Sequence, residues 1–452
     1  MKMKEGDSME ANFDYRKEIV QDILFIDVKS FYATVECVMR NLDPLTTLLV
    51  VMSSEDNTGN GLILASSPAA KNKLGITNVT RADNLPDHPN LLKVPPRMSL
   101  YIKENMRFNA IFKQYVADED LLPYSIDESI LDVSHSLNLF YPDPTESRYM
   151  KRMRLAHHIQ NEVKEKLGLI LSIGIGDNPL LAKLALDNFS KHSPNFIAEI
   201  RYQDVLTKVW SIPELTDFWG IGRRMKKRLY NLGIDTIRQL ANSDPIILKS
   251  HFGILGLQLY YHANGIDRTI IAEKAPPTKE KSYGNSQVLP KDYTDQKEIE
   301  IVIKEMAEQV AARIRRHHCL SQCVSVYIGT SRGGEKDSFS HQMKITATDN
   351  TKELIHYCLT IFRKYYTGQV VRHIGISYGK LIYTNAKQLN LFTSPEVQIN
   401  DERLDKIIDK IRTKYGFSAI IHATSKLDGA RSLARSHLVG GHNGGAGGLD
   451  GL

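Results

Sequence analysis

Short apolar runs alternate with segments of helical spacing over the first 190 residues. The runs at 23–28 (ILFIDV), 45–52 (LTTLLVVM) and 169–176 (LILSIGIG) are continuous, brief and rich in β-branched residues, which predicts buried strands. Apolar residues at three- and four-residue spacing predict helices over 30–40, 97–115, 152–167 and 180–191. This alternation predicts a mixed α/β core.

The pattern changes after residue 190. Residues 191–272 are mostly helical in spacing, and the Pro- and Lys-rich stretch 274–282 predicts a linker. Residues 283–387 combine β-rich runs at 323–329, 342–348 and 374–383 with helical segments Lys297–His317 and Lys352–Tyr366, which predicts a compact α+β module. An amphipathic helix over Asp401–Tyr415 either packs on the body or binds a partner. The Gly-rich end from residue 440 is expected not to pack.

Composition narrows the class of protein. A chain of 452 residues with 42% hydrophobic and 24% charged residues is expected to form about three globular domains, and is not a disordered chain. No apolar run approaches eighteen residues, and the charged N-terminus lacks a signal-peptide core, so we expect a cytoplasmic protein with no membrane partner. The four cysteines do not form a zinc pattern and are expected to be reduced.

The distribution of charge along the chain is more informative than the net charge. The chain carries +6, which weakly suggests a polyanionic partner. Residues 281–392 alone hold sixteen Lys and Arg against ten Asp and Glu, an excess equal to that of the whole chain. We therefore expect nucleic-acid contacts in this module, weakened by salt.

Three carboxylates are candidates for chemistry. Asp27 ends the first predicted strand, and Asp127 and Glu128 lie between two β-prone arms. Neighbouring side chains on a regular strand point to opposite faces, so a turn or bulge is needed for Asp127 and Glu128 to serve one site. Clustered carboxylates would bind a hard cation such as Mg²⁺, and two such ions support nucleotidyl transfer. The alternative is a solvated acidic turn.

Three motifs in order carry a family resemblance. The segments 27–33 (DVKSFYA, continuing to Glu36), 124–129 (YSIDES) and 172–176 (SIGIG, leading to Lys183) resemble the motifs of Y-family translesion DNA polymerases. The resemblance covers about residues 22–392. It is strongest to the UmuC/UvrX-like branch of Gram-positive bacteria, because of residues 29–32 (KSFY) and 95–97 (PPR).

The resemblance implies a multidomain right-hand polymerase of α/β and α+β class. Its expected parts are an N-terminal extension (1–21), a palm (22–32 and 98–190), small fingers (33–97), a helical thumb with a helix-hairpin-helix (191–273), a linker (274–282), a little finger (283–387) and a clamp-binding peptide with a tail (388–452). The implied function is low-fidelity DNA synthesis across damaged DNA in the SOS response.

The resemblance also implies residue roles at the active site. Asp27, Asp127, Glu128 and the Val28 carbonyl would hold two Mg²⁺ ions, Tyr32 would be the steric gate against ribonucleotides, and Lys183 would contact the triphosphate. Phe31 is expected to be ordinary core. The family's finger Tyr is absent from residues 67–75 (SPAAKNKLG), and Lys71 is preferred over Lys73 as the second triphosphate contact.

Further residues are expected to bind DNA and protein. The turn 218–224 (FWGIGRR) resembles a helix-hairpin-helix that binds phosphates, which the resemblance assigns to Gly220, Gly222, Arg223, Arg224, Lys226 and Lys227. Arg332 is a candidate DNA-backbone contact. Residues 388–392 (QLNLF) resemble the pentapeptide that binds the bacterial sliding clamp, through Gln388, Leu389, Leu391 and Phe392.

The expected partners are primer-template DNA, dNTPs and the clamp, with accessory SOS subunits as further candidates. Two other functions compete with this one. The missing finger Tyr fits a catalytically silent accessory protein that binds DNA and clamp. The acidic motifs also fit another palm-type nucleotidyltransferase or cyclase, although a cyclase needs neither a helix-hairpin-helix nor a clamp peptide.

Overall fold

The computed structural model describes residues 13–53, 61–78, 80–273, 281–331, 337–384, 394–439 and 442–443. Internal contacts divide the chain into two compact units. The first contains Met1–Thr46 and Tyr101–Ala275, and the second contains Thr47–Leu100 and Pro276–Leu452. Most of the predicted linker, most of the N-terminal extension and nearly all of the Gly-rich C-terminus lie outside the described residues.

A five-stranded sheet forms the centre of the first unit. Its central strand is Ile23–Val28, whose first three residues are fully buried. The strand order is Leu121–Pro123, Glu128–Asp132, Ile23–Val28, Leu171–Gly176 and Ile197–Ile200. The first four strands are antiparallel neighbours and the last pair is parallel. Strand Ile197–Ile200 was not predicted, so this sheet extends past the expected palm boundary at residue 190.

Helix Pro179–Asn188 lies directly on strand Leu171–Gly176. A Cβ atom on Gly174 would come within 2.1 Å of the Ala182 carbonyl oxygen, and one on Gly176 within 2.3 Å of the Ala182 nitrogen. Only glycine permits this approach, because a side chain would overlap the helix backbone. The SIGIG run therefore determines where the helix that carries Lys183 can sit.

The other helices of the first unit complete its core. The α-helices are Phe31–Val38, Met98–Phe112 (part of this unit from Tyr101 onward), Leu137–Phe140, Arg148–Leu167, Arg223–Tyr230, Ile237–Ala241, Pro245–Phe252 and Ile254–Ala263. A π-helix spans Val205–Val209, and short 3₁₀ turns occur at Tyr15–Lys17, Asp118–Asp120, Ser190–His192, Tyr202–Asp204 and Leu215–Asp217. The predicted helical character beyond the sheet is confirmed.

The second unit begins with a three-stranded sheet. Strand Leu49–Met52 pairs antiparallel with Ile63–Ser66 and parallel with Leu92–Val94. Helix Pro68–Leu74 packs on these strands, and a 3₁₀ turn spans Ala82–Asn84.

A four-stranded antiparallel sheet forms the larger part of the second unit. Its order is Phe339–Thr348, Cys319–Thr330, Val371–Tyr383 and Tyr283–Tyr293. Helices Gln296–Arg316 and Thr351–Tyr365 share its hydrophobic core. The two helices and three of the strands confirm the predicted α+β module. Strand Tyr283–Tyr293 was not predicted, because its sequence is polar and contains a glycine and a proline.

The tail packs on the second unit through charged residues. Helix Pro395–Tyr415 confirms and lengthens the predicted helix. The guanidinium of Arg315 donates to Asp409 at 2.6 Å and to Asp405 at 3.3 Å, and Arg412 donates to Glu308 at 3.0 Å. Of the two alternatives left open by the sequence, the structure shows packing on the body. Smaller elements follow at Phe417–Ala419, Ala423–Lys426, Ser432–Ser436, Leu438–Val439 and His442–Asn443.

All four cysteines are free and buried, as expected for reduced thiols. In the described ranges, every helix is too short or too polar to cross a lipid bilayer.

Candidate active site and nucleic-acid interface

The three predicted carboxylates belong to residues at one end of the five-stranded sheet. Asp27, near the end of the central strand, is directly opposite Glu128, the first residue of the neighbouring strand. Residues directly opposite each other in an antiparallel pair project their side chains to the same face. Asp27 and Glu128 therefore share a face although they lie a hundred positions apart in sequence.

A tight turn brings Asp127 to the same place. The backbone N–H groups of Tyr124 and Ser125 both donate to the Glu128 carbonyl, at 2.9 and 3.0 Å. The Ser125 hydroxyl donates to Asp127 Oδ1 at 2.8 Å, and the Val28 N–H donates to the Asp127 carbonyl at 2.9 Å. This turn is the irregularity that the adjacent Asp-Glu pair required, and that prediction is confirmed.

Two of the carboxylates, Asp27 and Asp127, have raised pKa values. Burial raises the pKa of Asp27 above its usual value, and the nearby Asp127 raises it further, although Lys191 opposes both effects. Burial also raises the pKa of Asp127, and Glu128 adds to that increase. Buried like charges behave in this way when no cation lies between them.

Two lysines reach the acidic site. The Lys183 ammonium is 2.5 Å from Glu128 and 3.1 Å from Asp187, and it lies 4.8 Å from the centre of the Phe25 ring. The Lys191 ammonium is 3.5 Å from Asp27 and 3.1 Å from Asp187. Sequence reasoning selected Lys183 and missed Asp187 and Lys191. The four-residue spacing of 183 and 187 was a signal for Asp187, because it places both residues on one side of helix Pro179–Asn188. Lys191 follows at the same spacing, in the turn Ser190–His192 just beyond that helix.

Tyr32 lies in the first turn of the helix that follows the central strand. Ser30 adopts a left-handed conformation (φ 51°) between strand and helix, which reverses the chain beside Asp27. The Tyr32 ring stacks on Tyr101 with centroids 4.3 Å apart and planes 14° apart. Burial raises the pKa of the Tyr32 hydroxyl, and Asp127 adds to the increase. Phe31 is 2% exposed, so its prediction as core is confirmed.

The Tyr101 side chain is itself fixed by a buried hydrogen bond to Glu36. It is fully buried, and its hydroxyl donates to Glu36 Oε1 at 2.7 Å. Arg40 forms an ion pair with the other carboxylate oxygen of Glu36. Sequence reasoning did not single out Tyr101 or Glu36 for this support, because the two residues are 65 positions apart.

The predicted phosphate-binding turn exposes backbone at a helix start. Gly220 has φ +94°, and Gly222 precedes helix Arg223–Tyr230 without a side-chain cap. A Cβ on Gly222 would meet nothing within 4 Å. The side chains of Arg223, Arg224 and Lys227 are exposed. Lys226 forms an ion pair with Glu214 at 2.5 Å.

This turn lines an open groove of about 300 Å³. The groove is bordered by Asp187 on one side and by residues 216–222 on the other. Trp219 of the turn also contacts Phe25 and Tyr124, with ring centroids 6.2 and 5.9 Å apart. Asp187, which borders this groove, also contacts Lys183 of the acidic site, so the glycine turn and the acidic site are neighbours within the first unit.

Other predicted residues lie elsewhere. Lys71 and Lys73 are in helix Pro68–Leu74 of the second unit, which begins at a Ser67 cap and ends at Gly75. Arg332 lies outside the described residues, as do the clamp-peptide residues Gln388, Leu389, Leu391 and Phe392.

Family models match three parts of the chain. The impB/mucB/samB family model matches residues 26–187, the model of the helix-hairpin-helix motif of that family matches 202–234, and the model of its C-terminal domain matches 280–391. Together they span the acidic site, the glycine turn and the four-stranded sheet.

Curated relatives match almost the whole chain. The putative UV-damage repair protein UvrX of Bacillus subtilis is 38% identical over 95% of this chain and 99% of its own length. DNA polymerase IV 2 of the same organism is 32% identical over 93% and 98%. A solved Y-family DNA polymerase chimera of Dbh and Dpo4 has the same fold, with a TM-score of 0.64, 22% identity, and coverage of 80% of this chain and all of its own. The chain therefore belongs to the Y-family DNA polymerases, in the UmuC/UvrX-like branch of Gram-positive bacteria.

Proposed function

We propose that this protein carries out template-directed, low-fidelity DNA synthesis across damaged DNA by two-metal nucleotidyl transfer. Its relatives by name repair UV damage or are DNA polymerases, which supports damage bypass in the cytoplasm. The observation that carries the proposal is the strand register that sets Asp27 directly opposite Glu128, with Asp127 in the adjoining turn.

The residues present suit Mg²⁺. All candidate ligands are oxygens, namely three carboxylates and the Val28 carbonyl, which is the donor set of a hard cation. Among the described residues, no three His, Cys, Asp or Glu side chains already form a metal-binding group, and Glu128 contacts Lys183. The raised pKa values of Asp27 and Asp127 are the electrostatic condition that a bound cation would relieve. Two ions bound there would activate the primer 3′-hydroxyl and stabilise the leaving pyrophosphate.

The protein's own residues would orient the nucleotide. Lys183 would contact the triphosphate as a point charge once Glu128 turns away from it. Tyr32 would lie beneath the sugar, where its ring, held by Tyr101, would clash with a 2′-hydroxyl. Lys71 would be a further triphosphate contact.

Nucleic-acid contacts are expected at the glycine turn and within residues 281–392. Backbone N–H groups at Gly220 and Gly222 would bind a phosphate at the helix start, with Arg223, Arg224 and Lys227 adding charge. Lys226 would contribute only after leaving Glu214. Arg332 and the basic excess of residues 281–392 would grip the duplex.

Clamp binding would depend on residues 388–392. Leu391 and Phe392 would fill an apolar pocket, and Gln388 would hydrogen-bond at its rim. Leu389 belongs to the same clamp-binding peptide. Deleting the pentapeptide should abolish stimulation by a bacterial sliding clamp and leave clamp-independent extension unchanged. Normal stimulation of the deletion variant would remove the clamp role.

Primer extension tests the catalytic proposal directly. With Mg²⁺ and dNTPs, the wild-type protein should extend primers on damaged and undamaged templates. Asp127→Ala should abolish extension but retain DNA binding. A wild-type protein that binds DNA and clamp without incorporating any nucleotide would instead be the silent accessory protein.

Sugar selection tests the steric gate. Tyr32→Ala should admit ribonucleotides because the ring that would meet the 2′-hydroxyl is removed. Unchanged discrimination between dNTPs and rNTPs would exclude this role for Tyr32.

A further inference from the structure

We propose that Asp187 is a positioning residue that holds Lys183 and Lys191 beside the acidic site, so that Lys183 stays in place to receive the nucleotide triphosphate. This inference rests on the proposed function and assigns roles to two residues, Asp187 and Lys191, that lie outside the recognised motifs.

Charges alternate along a continuous chain of contacts. Glu128 contacts Lys183 at 2.5 Å, Lys183 contacts Asp187 at 3.1 Å, Asp187 contacts Lys191 at 3.1 Å, and Lys191 contacts Asp27 at 3.5 Å. Asp187 is the only member that bridges two ammonium groups. The two ends of this chain are Glu128 and Asp27, the carboxylates set opposite each other by the strand register.

Lys183 needs a permanent partner because it is 7% exposed. An ammonium removed from water is stable only when it is paired. Glu128 is a proposed metal ligand, so its contact with Lys183 would be lost when the site is in use. Asp187 is then the carboxylate that still pairs with Lys183 and keeps it in place.

Lys191 pairs with Asp27 as Lys183 pairs with Glu128. It lies just beyond the helix, in the turn Ser190–His192, and its ammonium faces both Asp27 and Asp187. Without Asp187, two neighbouring ammonium groups would repel each other, and each would be left with a single carboxylate. Asp187 thus fixes the spacing of two cations at the edge of the groove it shares with residues 216–222.

Removing an ordinary ion pair on a helix surface would not change nucleotide insertion. Surface carboxylate–lysine pairs four residues apart contribute little and have no effect on a distant reaction. Glu402 and Lys406 form such a pair at 2.5 Å on helix Pro395–Tyr415, in the second unit. Glu402→Gln is therefore a matched control for Asp187→Asn, with the same loss of one charge.

Single-nucleotide insertion by the full chain, with one dNTP varied, tests the proposal. Asp187→Asn should raise KM for the dNTP by about tenfold or more, the loss expected for one charge-assisted hydrogen bond. Its kcat should change much less, because binding and not chemistry is impaired. Asp187→Glu should restore KM in large part, and Glu402→Gln should match the wild type.

Three results would overturn the inference. One is a wild-type KM for Asp187→Asn. Another is a fall in kcat together with melting temperature, which would indicate a structural role alone. The third is failure of Asp187→Glu to improve on Asp187→Asn. If the wild-type protein inserts no nucleotide at all, the proposed function fails first, so the two failures are distinguishable.

Discussion

Removing the Tyr101 hydroxyl should destabilise the first unit without disturbing sugar selection. Tyr101→Phe keeps the ring that stacks on Tyr32 and removes only the donor to Glu36 Oε1, at 2.7 Å. Both side chains are fully buried, so water cannot replace the lost hydrogen bond. A hydrogen bond to a charged group contributes about 1.5–3 kcal/mol. Arg40 still pairs with Glu36, so we expect a loss of about 2 kcal/mol.

Removing the Tyr101 ring should have a separate effect from removing its hydroxyl. Tyr101→Leu removes the stacked face, which is worth about 0.5–1.5 kcal/mol beyond its buried area, and adds a cavity cost of a few kcal/mol. Tyr32 would then lose the surface that holds its ring flat. We expect Tyr101→Leu to incorporate ribonucleotides more readily, whereas Tyr101→Phe should discriminate as the wild type does.

Urea unfolding followed by tryptophan fluorescence measures the stability of the first unit alone. The chain has two tryptophans, Trp210 and Trp219, and both belong to that unit. Tyr149→Phe is the control, because its ring is half exposed. The reasoning is refuted if Tyr101→Phe unfolds at the wild-type urea concentration, or if Tyr101→Leu selects sugars as strictly as the wild type.

Three further perturbations test the packing. Gly174→Ala should destabilise the first unit by about 3 kcal/mol or more, because the new Cβ would lie 2.1 Å from the Ala182 carbonyl oxygen. Urea unfolding measures this loss, and a variant as stable as the wild type would contradict the close approach. Arg315→Ala should loosen the packing of helix Pro395–Tyr415, because it removes the ion-pair partner of Asp409 at a cost of about 3 kcal/mol. Limited trypsin digestion should then cut residues 394–439 faster than in the wild type. Burial raises the pKa of Cys358 to about 12, so this thiol is protonated near neutral pH. Ellman's reagent should find no reactive cysteine in the native protein and four after denaturation, and rapid native labelling would contradict the burial of all four.

Local pattern was sufficient for the elements that bury a continuous apolar run. Strand Ile23–Val28 and helix Pro179–Asn188 follow from apolar spacing that any correct fold must bury. The turn at Asp127 follows from two adjacent acids between β-prone arms. Strand Tyr283–Tyr293 does not follow, because its polar sequence becomes a strand only by pairing with Val371–Tyr383.

By itself, the sequence offered the three carboxylates as candidates through their chemistry, and Lys183 and the glycine turn through the resemblance of short motifs to those of the family. Only the tertiary structure decided which charges meet. Asp27 and Glu128 face each other through strand register, and Lys191 reaches Asp27 across 164 positions. Such contacts depend on the packing of a helix against a sheet through Gly174, and on burial that makes every unpaired charge costly. No pattern along the chain records those distances.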